Sequence, residues 1–160
     1  MKDQKEWLEQ KKKTEISNAR KWLSEIYDIK DEIKHWDLVE FLVDVDKFMK
    51  YAQEHDGSIA GNEFDDFEDV WYMIKQIEKI NNVIEVYISP FWISREKEEI
   101  VDFGDVYSNT LFIQINDKLD EEQIDDLLEE IREITQGHEV DVYDKKFSKN
   151  GNTYVRVWWD

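Results

Sequence analysis

The chain has 160 residues, room for one domain or for one domain with a helical extension. Its formal charge is −18, from 21 basic and 39 acidic side chains, yet 41% of its residues are hydrophobic and 14% aromatic, which argues against a disordered acidic chain. The absence of cysteine excludes disulfides, thiolate chemistry and zinc–sulfur sites.

Residues 5–29 are expected to form a helix, from Ile16, Ala19, Leu23 and Ile26 at helical spacing with Trp22 and Tyr27 beside them. A second helix is expected from Asp37. Asp37 and Glu40 match a capping box, Trp36 and Phe41 a hydrophobic staple, and Leu38, Phe41, Leu42, Val45, Phe48, Met49 and Ala52 an apolar stripe reaching His55 and stopped by Gly57. GSIAGN reads as a flexible loop. A third helix is expected over 64–80, with Phe67, Val70, Trp71, Ile74 and Ile77 inward.

The period then changes to two. Residues 83–93 and 106–116 read as strands joined by the polar stretch SREKEEIVDFGD, with Pro90 marking an edge or a bend. A fourth helix is expected from Asp120 to about Gln136, with a capping box from Asp120 and Gln123, a staple from Leu119 and Ile124, and Gly137 as its stop. Residues 138–147 and 152–159 are expected to form a hairpin about Asn150-Gly151.

Three helices followed by β-β-α-β-β predict an α+β fold with an antiparallel sheet of about four strands. Residues 1–36 read as an N-terminal helical arm or extension, and 37–160 as a single acidic domain. Charge divides the same way. Residues 1–36 hold 9 Lys/Arg and 8 Asp/Glu, whereas 37–160 hold the other 12 and 31.

Two stretches concentrate the acids. Residues 117–139 carry 10 acids against Lys118 and Arg132. With Ile124, Leu127, Leu128 and Ile131 toward the core, Glu122, Asp126, Glu129 and Glu133 fall on the opposite side. They span roughly 16 Å at about 1.5 Å rise per residue, about one charge per 5 Å, not far from the roughly 3.4 Å spacing of charges along one nucleic-acid strand. A solvated helix usually alternates such acids with Lys, so this stripe is a candidate partner-binding face. Residues 37–69 carry 11 acids against Lys47 and Lys50, densest at Glu63, Asp65, Asp66, Glu68 and Asp69. The helix dipole favours acids there. EFDDFEDVW lacks the ligand spacing of a calcium loop, so no metal is expected.

The hairpin offers a contrasting face. Pairing Lys149 with Asn152 sets Phe147 opposite Tyr154, Lys145 opposite Arg156 and Tyr143 opposite Trp158, all six on one side. Such an aromatic–cationic face suits either docking of the N-terminal helices or a protein partner. The net charge disfavours nucleic acid.

No catalysis or cofactor is expected. His35, His55 and His138 lack ligand-like or triad-like spacing, and the five glycines form no phosphate loop. No signal peptide or membrane span is predicted, because the N-terminal MKDQKEWLEQKKK has no apolar run behind its charges and no stretch of about 18 apolar residues occurs. The expected compartment is the bacterial cytosol.

In length, acidity, carboxylate stripes and α/β make-up the chain resembles the small acidic anti-CRISPR proteins of phage from low-GC Gram-positive bacteria. The resemblance is one of general character. It implies an inhibitor of a type II CRISPR effector nuclease, bound at its nuclease domain or DNA channel, with carboxylates replacing phosphates as in DNA mimicry. Two other readings stay open: an immunity protein against a nuclease toxin, and an acidic adaptor or regulatory module using the aromatic hairpin face.

Overall fold

Alternating apolar side chains, most of them in the second half of the chain, build a five-stranded antiparallel sheet. The structure is a computed structural model and describes residues 42–60, 63–64, 66–89, 91–94, 99–102, 107–143 and 151–159. In chain order its elements are β1 (Val43–Asp44), α1 (Val45–Glu54), β2 (Ser58–Ile59), α2 (Phe67–Glu78), β3 (Val83–Ile88), β4 (Phe91–Ser94) and β5 (Glu99–Asp102). They continue with β6 (Tyr107–Ser108), β7 (Thr110–Ile115), α3 (Glu121–Thr135), β8 (Glu139–Val142) and β9 (Thr153–Trp158). The main sheet has the order β1-β3-β7-β9-β8, with each neighbouring pair antiparallel. β2 pairs with β6, and β4 with β5, in separate two-stranded ladders.

The fold is α+β, as the element pattern predicts. It has five main strands because β1 adds at the edge beside β3. Both β7 and β8 run antiparallel to β9, so α3 carries the chain across β9.

Register explains the core. Val86 pairs with Ile113 and Ile88 with Leu111; these continue into Val155 and Val157, and Val157 pairs with Val140. All seven are buried and share one face, because side chains alternate along a strand. The same core includes Phe48, Met49 and Ala52 from α1, Val70, Met73, Ile74 and Ile77 from α2, and Leu127 and Ile131 from α3. Each helix thus seals an apolar stripe that a helical period of 3.6 brings to one side.

Several expectations change. The second helix starts at Val45 rather than Asp37. Val43 and Asp44 pair with Ile88 and Tyr87 on β3, and the Asp44 carboxylate caps α1 by accepting from the Asp46 and Lys47 N–H groups at 3.0 and 3.1 Å. Residues 1–36, the Asp37–Glu40 box and the Trp36–Phe41 staple lie outside the described residues. The third helix lies within its expected range, with Val70, Ile74 and Ile77 buried and Phe67 and Trp71 partly so. Part of the polar stretch expected to link two strands is itself β5, with Glu99 paired to Ser94 and Asp102 to Phe91.

The hairpin register is shifted by four residues. Trp158 pairs with Glu139 and Arg156 with Asp141, and the Tyr143 N–H donates to the Tyr154 carbonyl at 2.8 Å. Lys145, Phe147, Lys149 and Asn150 lie outside the described residues.

Two helix stops lie one residue before the expected glycine. Asp56 and Gln136, not Gly57 and Gly137, adopt left-handed φ values of 53°. Gly137 meets a different requirement. A Cβ there would come within 2.7 Å of Val157 Cγ1 and 3.1 Å of Val140 Cγ2, so glycine lets the chain leave α3 directly over the sheet.

Candidate functional site

The fourth expected helix, α3, forms as its end signals dictate. Asp120 accepts from the Gln123 N–H at 2.8 Å, and the Gln123 side chain accepts from the Asp120 N–H at 3.0 Å. Burial of Leu127, Ile131 and Thr135 fixes the rotation of the helix. Glu122, Asp126, Glu129 and Glu133 are consequently exposed. Among the described residues no Lys, Arg or His lies within ion-pair distance of these four. Arg132, the basic residue of the last turn, instead donates to the Val140 carbonyl at 3.1 Å.

This arrangement carries an electrostatic cost. Glu121 and Glu122 sit in the first turn, where the helix dipole favours acids. Glu129, Glu130 and Glu133 lie toward the C-terminal end, where it opposes them. Like charges three or four apart add about 0.2–0.5 kcal/mol of repulsion per pair, so the stripe costs about 1 kcal/mol in all. That is small beside a typical stability of about 5–15 kcal/mol, and the fold tolerates it.

The structure brings the start of the second acidic cluster to the end of α3. α2 and α3 are in contact. Just ahead of α2, Glu63 lies 3.1 Å from His138, just beyond α3, and Phe64 meets Trp159 edge-on with ring centroids 5.8 Å apart. The Trp159 indole N–H donates to the Thr135 carbonyl at 3.0 Å. The segment just ahead of α2 therefore adjoins the C-terminal end of α3.

Members of that cluster divide by task. Asp66 caps α2, accepting from the Glu68 N–H at 3.1 Å, and Glu63 is engaged by His138. Glu68 and Asp69 are exposed in the first turn of α2, and no described cation pairs with either. Asp65 lies outside the described residues. Tyr72, one turn further along α2, is 67% exposed. The sequence reading missed it, although its place between inward Val70 and Ile74 puts it on the outward side of the helix.

The aromatic hairpin face is differently disposed. Tyr143 and Tyr154 are buried, and both rings meet Phe112 edge-on, at 5.0 and 6.3 Å between centroids. Arg156 is paired with Glu139 at 3.1 Å. Trp158 is partly buried, and its indole N–H has no hydrogen-bond partner among the described residues. On the same side of the sheet the Tyr87 hydroxyl donates to Glu85 at 2.8 Å. Burial, and then this bond and the Glu85 charge, raise the phenol well above its ordinary pKa.

Two histidines have structural settings. The His55 ring stacks on Tyr51 at 3.9 Å, with Nδ1 2.9 Å from the Tyr51 carbonyl. His138 lies between Glu63 and the Trp158 ring. Among the described residues no group of three or more acids or histidines is arranged to hold a metal ion, and no helix is long and apolar enough to cross a membrane. No protein-family model, curated protein or solved structure matches the chain.

Proposed function

We propose that this chain is a non-enzymatic acidic inhibitor that sets its α2–α3 layer against the basic nucleic-acid-binding or catalytic surface of a nuclease, as anti-CRISPR proteins do with type II effector nucleases. The observation that supports this most is the exposed stripe of Glu122, Asp126, Glu129 and Glu133 on α3, which no cation among the described residues pairs, on a helix that contacts α2 with its exposed Glu68 and Asp69. Lys and Arg side chains that hold phosphates would pair equally well with these carboxylates, which gives steered association and competition with the nucleic acid. The same charge repels nucleic acid itself, so the partner is protein.

Carboxylate pairs at a rim set rate and register more than affinity, and a buried aromatic anchor commonly supplies the rest. Tyr72, exposed one turn beyond Glu68 and Asp69 on α2, would be that anchor. Tyr72→Ala is expected to weaken nuclease binding about tenfold, roughly 1.4 kcal/mol, with no change in the thermal unfolding midpoint. Unchanged affinity in a titration of the variant would remove Tyr72 from the interface.

A further inference from the structure

We draw no further inference here: the strongest candidate, the aromatic side of the sheet around the unpartnered Trp158 indole N–H, carries nothing because nothing among the described residues shows what covers it.

Discussion

Thr153 begins β9 opposite Ile115, on the face that the helices cover, and its hydroxyl is buried without a hydrogen-bond partner among the described residues. An unpaired buried hydroxyl costs about 1–3 kcal/mol. Thr153→Val keeps the shape and removes that cost, so it is expected to raise stability by about 1 kcal/mol, read as a higher urea midpoint at unchanged slope. Tyr87 has the opposite character, since its hydroxyl is satisfied while neutral. Its folded pKa is raised, so its contribution is fully present below the unfolded value of about 10 and is lost as pH climbs toward the folded one. Stability should therefore fall with rising alkaline pH, and less steeply in Tyr87→Phe. Parallel unfolding curves of the two proteins against pH would contradict this.

At the level of elements, α3 was legible because every local signal agreed: the Asp120–Gln123 box, the apolar stripe and the charged outer side. α1 was not. Asp37 and Asp44 both offer a cap, and the apolar stripe continues through both, so local chemistry cannot choose between their starts. Pairing of Val43 with Ile88 decides for Asp44, and that is a long-range contact. The hairpin misled for a related reason: Asn150-Gly151 is a strong local turn signal, yet the ladder follows the pairing of Val140 and Val142 with Val157 and Val155. β5 was hidden because its residues sit in a stretch whose charges read as a loop. The acidic stripe was legible as a periodicity, whereas the contact of Glu63 with His138 depends on tertiary packing. α3 also yields a stability prediction. Glu133→Lys removes repulsion from Glu129 and suits the C-terminal dipole, so it should raise stability by about 0.5–1 kcal/mol while weakening partner binding. A variant that loses both stability and binding would show that Glu133 serves the fold.

Across the whole molecule, the −18 charge is unevenly spent. Some acids serve the structure: Asp44, Asp66 and Asp120 cap helices, and Glu63 and Glu139 hold His138 and Arg156. Others, above all Asp126, Glu129 and Glu133, have no ion-pair partner among the described residues, and the proposed partner binding would account for them. Screening over a Debye length of about 8 Å at physiological salt makes any attraction they exert salt-dependent. The decisive measurement is a pull-down from host lysate at low and high salt, comparing the native chain with Glu122→Lys/Asp126→Lys/Glu129→Lys/Glu133→Lys. The native chain should retain a basic nuclease at low salt and release it at high salt, and the folded variant should retain none. Equal retention by the variant, or retention indifferent to salt, would contradict the proposal.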